Sequence, residues 1–272
     1  MPDKIYDTRF REASERMEAY ADFVAVVRQL RRQCPWDREQ THASVKHLLI
    51  EEAYETVSAI EDEDWGELKN ELGDLLLHVV FHCVMAEESG RFTTRDVVEA
   101  EIAKLVRRHP HVFGDTSVSG VEEVLTNWES IKRTGERRQS VLEGVPKHLP
   151  TLLAAYRMQE KAAGVGFDFA RAVDAWQKVE EEISEAREAI NGAEDATKRE
   201  DEFGDLLFSL VNYARFAGIN PENALRRTNR KFRRRIEHIE QCLSRDGRSM
   251  EDATLEEMDR YWEQAKQTDH VP

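Results

Sequence analysis

The chain has 272 residues, of which 40% are hydrophobic and 34% charged, and its formal net charge is -15. That length suits one large or two medium domains with a true core. The acidity disfavours nucleic acid and anionic membrane as partners and suits a protein that gathers divalent cations. Only 7 prolines and 13 glycines punctuate the chain, so long helices are expected rather than many short strands. Cys34, Cys83 and Cys242 form an odd set without close spacing, which reads as reduced thiols of a cytoplasmic protein. The first twenty residues lack a signal-peptide core, and no apolar run approaches the length of a membrane span.

Apolar residues at helical spacing run from Thr8 to Leu30. Cys34-Pro35-Trp36-Asp37 stops that helix, because proline blocks continuation. A second helix is predicted from about Thr41 to Ile60. Asp64 and Glu67 have the form of a capping box and open a third, ending near Gly90. Thr93 or Thr94 caps a fourth, which stops at His109-Pro110, and Ser119 with Glu122 opens a helix through Lys132. The polar, proline-containing stretch 139–150 reads as a linker between domains at 1–138 and 151–272. Pro150 suits a first helical position, and that helix reaches Ala163 before Gly164-Val165-Gly166-Phe167-Asp168 breaks it. Helices follow at about 170–190, 195–217, 221–245 and 254–267, with Pro221 again at a start. No alternating strand pattern occurs, so the predicted fold class is all-α.

The chain resembles itself. Glu51-Glu52-Ala53-Tyr54-Glu55 matches Glu181-Glu182-Ile183-Ser184-Glu185 at an offset of 130. Glu71-Leu72-Gly73-Asp74-Leu75-Leu76 matches Glu202-Phe203-Gly204-Asp205-Leu206-Leu207 at an offset of 131. Lys104 to Arg108 matches Lys231 to Arg235, and Trp128 to Lys132 matches Trp262 to Lys266, at offsets of 127 and 134. Four ordered matches at a nearly constant offset point to a tandem duplication of one helical-bundle domain.

Each copy carries a pair of carboxylate motifs. Residues three apart share a helix face, so Glu52 projects with Glu55 and Glu71 with Asp74. The second copy repeats this with Glu182, Glu185, Glu202 and Asp205. Packed helices would gather four acids, whose repulsion requires a cation among them. Hard oxygen donors without cysteine or clustered histidine select Mg²⁺ or Mn²⁺. Asp74 and Asp205 border core-like segments, Leu75 to Leu77 and Leu206 to Phe208. Gly73 and Gly204, costly in a helix interior, lead us to expect close helix approach at the site.

These motifs, together with Cys34 to Thr41, Arg107-Arg108-His109-Pro110-His111-Val112-Phe113-Gly114 and Gly164 to Asp168, resemble the MazG family of all-α nucleoside triphosphate pyrophosphohydrolases. The resemblance spans about Arg28 to Lys266. It implies tandem MazG-type bundles, a homodimer, and Mg²⁺-dependent hydrolysis of NTPs and dNTPs to the monophosphate and pyrophosphate with broad base tolerance. It places metal on Glu182, Glu185, Glu202 and Asp205, and nucleotide at Lys178, Glu181, Lys198, Lys231, Arg235 and Trp262. In two-domain members the C-terminal copy is taken as the main catalytic one. The residues agree: Lys178 and Lys198 are replaced in the first copy by Leu48 and Glu67, which removes two phosphate-facing cations. The candidate catalytic residues are therefore Glu181, Glu182 and Glu202. Glu52, Glu55, Glu71 and Asp74 form a second candidate metal site.

Other readings compete with this one. Arg226 to Arg235 holds seven basic residues in ten, but a helix spreads them around its barrel, and nucleic acid is set aside. His78 and His82 share a face without a third zinc ligand and read as packed or interface histidines. A di-iron bundle needs Glu-x-x-His twice, and only Glu39 with His42 fits. The remaining alternative is a non-catalytic, nucleotide-binding helical regulator.

Overall fold

The computed structural model describes residues 14–121, 123, 124, 127, 131, 140–192 and 195–268. Among these the regular elements are all helical, as the all-α expectation requires. The chain divides into two compact units, 1–132 and 133–272.

Unit 1 contains α1 (Ser14–Gln33), α2 (Pro35–Glu39), α3 (His42–Glu61), α4 (Trp65–Glu88), α5 (Thr94–Arg108) and α6 (Pro110–Phe113). Local chemistry sets the boundaries. The Thr41 hydroxyl accepts from Ser44 N–H, and Ser44 Oγ accepts from Thr41 N–H at 2.9 Å, a reciprocal box that starts α3. Asp64 accepts from the N–H groups of Gly66 and Glu67 at 2.9 and 3.0 Å and starts α4. Thr93, not Thr94, caps α5, in a box with Asp96. Ser119 N–H and Oγ bond to Glu123 Oε2 at 2.8 Å; Glu122 and most of the helix expected to follow, like residues 1–13, lie outside the described residues. The sequence reading missed α2 and α6. Both start with proline at the first helical turn. The residue that terminates one helix there is pre-organised to begin another.

Unit 2 contains α7 (Thr151–Ala163), α8 (Ala172–Asn191), α9 (Ala196–Phe216), α10 (Pro221–Arg245), a 3₁₀ turn at Met250–Asp252, and α11 (Leu255–Thr268). Pro150 occupies the cap of α7, one position earlier than expected. Gly166, with φ of +88°, lets the chain reverse after α7. Asp195 and Asn220 cap α9 and α10 through Lys198 N–H and Asn223 N–H.

In unit 1, α4 packs against α1 and α3; in unit 2, α9 packs against α7 and α8 in the same way. The fillings differ. Val27, Val45, Val80, Phe81, Val84 and Met85 close the core of unit 1. Half of the buried α7 and α8 positions of unit 2 are alanines, Ala155, Ala175, Ala186 and Ala189, and Gln159, Lys161 and Glu182 are polar. That leaves room beside α9.

Candidate active site

The buried residues of α8 are Ala175, Val179, Glu182, Ala186 and Ala189. This alternation of four and three is a single helix face turned to a partner. Glu182 stands where an apolar residue would be expected, and it is only 5% exposed. Lys178, one turn earlier, places its Nζ 2.7 Å from Glu182 Oε1 and 2.7 Å from Glu181 Oε1. Hydrogen bonds to Glu181 and then Glu182 hold the Lys178 ammonium above its ordinary range. Glu182 Oε2 is also buried, and no described residue hydrogen-bonds to it.

Glu185 lies on the next turn, and α9 contributes Glu202. Glu182, Glu185 and Glu202 each offer an oxygen within 4.8 Å of the others. Burial and the neighbouring Glu182 charge push the Glu185 carboxyl up. Asp205 falls outside that tight grouping. With Lys178 and Glu182 it lines a cavity of about 650 Å³ between α7, α8 and α9. Lys198 sits in the first turn of α9, one turn before Glu202. Lys231 and Arg235 are half-buried on one face of α10, whereas Arg227, Arg233 and Arg234 are exposed. The basic segment is thus divided around its helix, as expected. The Arg235 guanidinium lies 4.9 Å from the Trp262 ring, which meets Phe232 edge-on at 5.5 Å.

Unit 1 repeats the cluster but not its cations. Glu52, Glu55 and Glu71 offer oxygens within 4.8 Å of one another, and Asp74 again lies outside the grouping. Burial, followed by the charges of Asp74, Glu55 and Glu71, raises the Glu52 carboxyl to about 7. Burial and the charges of Glu55 and Asp74 also raise Glu71. Leu48, which stands where unit 2 has Lys178, packs against the core. Glu67, which stands where unit 2 has Lys198, lies in the first turn of α4. Trp128, the counterpart of Trp262, lies outside the described residues.

His78 Nε2 is 3.9 Å from Glu52 Oε1, and burial lowers the imidazole pKa. His82 stacks on His42 with ring centroids 5.0 Å apart. His78 is buried, as expected of a packed histidine. One expectation is overturned. A Cβ built on Gly73 or Gly204 meets nothing within 4 Å, so no helix approaches either glycine closely among the described residues. Each instead lies beside an exposed apolar stripe: Leu72, Leu76 and Val79 on α4, and Phe203, Leu207 and Leu210 on α9.

Each unit thus brings three carboxylates close together, and in unit 2 a buried carboxylate oxygen has no hydrogen-bond partner among the described residues; oxygen donors of this kind are chemically suited to a hard divalent cation. The sequence reading missed the remainder of the cavity. Asp168, noticed only as part of a motif, pairs with Arg215 of α9 and so anchors the loop after α7 over the cavity. Gln159 and Asn212 line it as well. The internal repeat carries a trace of this, since Asp168 matches Asp37 at the offset of 131.

Fold and site together define a duplicated all-α protein with a carboxylate cluster on each central helix pair. The sequence matches the MazG nucleotide pyrophosphohydrolase domain twice, over residues 40–113 and 174–240. It is 42% identical over 256 residues to the nucleoside triphosphate pyrophosphohydrolase/pyrophosphatase MazG of Thermotoga maritima, covering 93% of this chain and 97% of that one. It is 45% identical over 238 residues to the nucleoside triphosphate pyrophosphohydrolase of Escherichia coli, covering 86% and 90%. A nucleoside triphosphate pyrophosphohydrolase of Mycobacterium tuberculosis is 38% identical over 155 residues, covering 56% of this chain and 47% of that one. The chain belongs to the MazG family of nucleotide pyrophosphohydrolases, and it is a hydrolase.

Proposed function

We propose that the protein hydrolyses nucleoside and deoxynucleoside triphosphates to the monophosphate and pyrophosphate, with Mg²⁺ as cofactor and turnover in unit 2. The observation that carries this reading is Glu182, a carboxylate at a core position, held by Lys178 and flanked by Glu185 and Glu202 beside a cavity. The names of the Thermotoga maritima and Escherichia coli relatives support the reaction class.

Glu182, Glu185, Glu202 and Asp205 would hold Mg²⁺, which supplies charge neutralisation for the polyphosphate and Lewis acidity. Lys178 carries a permanent positive charge to the phosphate oxygens. Glu181, exposed and 2.7 Å from Lys178, would take the proton of an attacking water. Lys198, Lys231 and Arg235 add positive charge for the leaving pyrophosphate, and Trp262 offers a flat face to the nucleotide. Unit 1 retains its acids but lacks counterparts of Lys178 and Lys198, which supports metal binding there without turnover.

The exposed stripes on α4 and α9 support a homodimer, since apolar faces repeated in both units suit burial against a second copy. Cys34, Cys83 and Cys242 are all free thiols, which fits work in a reducing cytoplasm. No described helix is long and apolar enough to cross a membrane.

Pyrophosphate release from mixed NTPs with Mg²⁺ tests the reading. Glu202→Gln should lower kcat by about a hundredfold or more, while Glu52→Gln should retain most of the turnover. The reverse ranking would move turnover to unit 1. Nucleotide binding without pyrophosphate release in the unmodified protein would favour a regulator.

A further inference from the structure

The cavity beside α9 carries features that a metal and polyphosphate site does not need. Lys178, Glu182 and Asp205 line it, yet so do the aromatic rings of Phe167, Phe169 and Phe208. On α9 the cavity residues run from Asp205 to Arg215, about 15 Å along the helix axis. Its volume of about 650 Å³ is that of a small-molecule pocket.

Two of the lining residues each carry a buried polar atom without a hydrogen-bond partner among the described residues. Gln159 is 8% exposed. Its Nε2 donates to the Phe208 carbonyl at 2.8 Å, which fixes the amide orientation and leaves Oε1 as the open acceptor. That Oε1 is buried and accepts no hydrogen bond among the described residues. Arg215 is immobilised by Asp168, by Asn212 Oδ1 at 3.0 Å, and by the Phe216 ring at 4.6 Å. Its Nε is buried and likewise unbonded among the described residues. Buried polar atoms without partners are costly; a ligand with complementary groups removes that cost.

Unit 1 demonstrates that the same helices can be packed shut. At the offset of 131, Phe208, Asn212 and Arg215 correspond to Leu77, Phe81 and Val84. Phe81 and Val84 are buried in the core of unit 1, and Leu77 packs against it. The cavity is therefore a property of unit 2, the unit that also carries Lys178.

We propose that this cavity seats the nucleobase, with Gln159 Oε1 accepting from a base N–H, Arg215 Nε donating to an acceptor on the nucleoside, and phenylalanine rings against the base. The proposal rests on the nucleoside triphosphate reading above. Each common base has at least one N–H on its pairing edge, so the acceptor recognises bases as a class without choosing among them. Stacking on a phenylalanine is equally tolerant.

Ribose 5-triphosphate, which keeps the sugar and phosphates and lacks the base, isolates this contribution. With Mg²⁺ and the unmodified chain, kcat/KM for ATP, GTP, CTP and UTP should each exceed that for ribose 5-triphosphate by about tenfold or more. In Gln159→Leu that ratio should collapse towards one. In Asn212→Phe, which imports the Phe81 of unit 1, it should collapse as well. A ratio near one in the unmodified chain overturns the proposal. So does a variant that slows all five substrates in proportion, because that marks a structural role. Calorimetric titration of the same ligands reads the same ratio as binding. Tight nucleotide binding with a preserved ratio but no pyrophosphate release would overturn the hydrolase reading and leave the base pocket standing.

Discussion

A carboxylate at a core position of a helix costs free energy unless its charge is met. Glu182 meets Lys178 with one oxygen and leaves the other buried and without a partner among the described residues. Replacing it with leucine completes the apolar stripe from Ala175 to Ala189. Glu182→Leu should therefore raise stability in chelator by about 1 kcal/mol or more, and abolish pyrophosphate release. Urea unfolding with EDTA checks the first outcome, and a lower midpoint would count against this account of the site. Glu52 makes a separate pH prediction. Its carboxyl is raised from 4.5 to about 7. Between those values the native state binds more protons than the unfolded state, so stability falls as pH rises through that window. Below it Glu52 is protonated in both states and adds no slope; above it the repulsion is fully present. In EDTA, Tm should drop from pH 5 to pH 8, and the Glu52→Gln variant should show a smaller drop. Saturating Mg²⁺ should flatten the slope by neutralising the cluster. An unchanged slope in Glu52→Gln would remove the repulsion argument.

At the scale of helices, much was legible because the signals are local. Thr41, Asp64 and Thr93 announce helix starts through side-chain oxygens that need no tertiary information. Pro35 and Pro110 were read as stops, yet each begins a short helix, since proline fits a first turn as well as it breaks an interior. Gly73 and Gly204 were misread for a related reason: a sequence shows that a side chain is missing but not what faces the gap. Nothing within 4 Å faces either one. Alanine there should stabilise the isolated fold by about 0.5–1 kcal/mol per site. If the flanking apolar stripes bury themselves in a second copy, the same substitutions should weaken self-association. Analytical ultracentrifugation of Gly204→Ala across a dilution series, with thermal melts on the same samples, separates the two effects. Equal stability and unchanged association would leave the glycines without a role.

For the whole molecule, duplication was visible in the motifs, whereas the divergence of the two units was only half visible. Lys178 against Leu48 and Lys198 against Glu67 are differences of charge, which a sequence displays directly. The closing of one pocket is a difference of packing. It depends on Phe81 and Val84 turning inward from α4 while Asn212 and Arg215 line a cavity from α9, and periodicity alone does not reveal which face meets a void. This asymmetry predicts that the units respond separately. Phe81→Ala removes a buried ring, and such truncations cost about 3–5 kcal/mol, here at the expense of unit 1. The KM for NTPs should stay within about twofold of the unmodified value, because unit 2 carries the pocket and Phe81 belongs to the core of unit 1. Calorimetry should show the loss in one part of the unfolding profile, and Mg²⁺ with a slowly hydrolysed NTP analogue should still raise the rest. A Phe81→Ala protein whose KM rises with its loss of stability would show instead that the filled unit supports the open one.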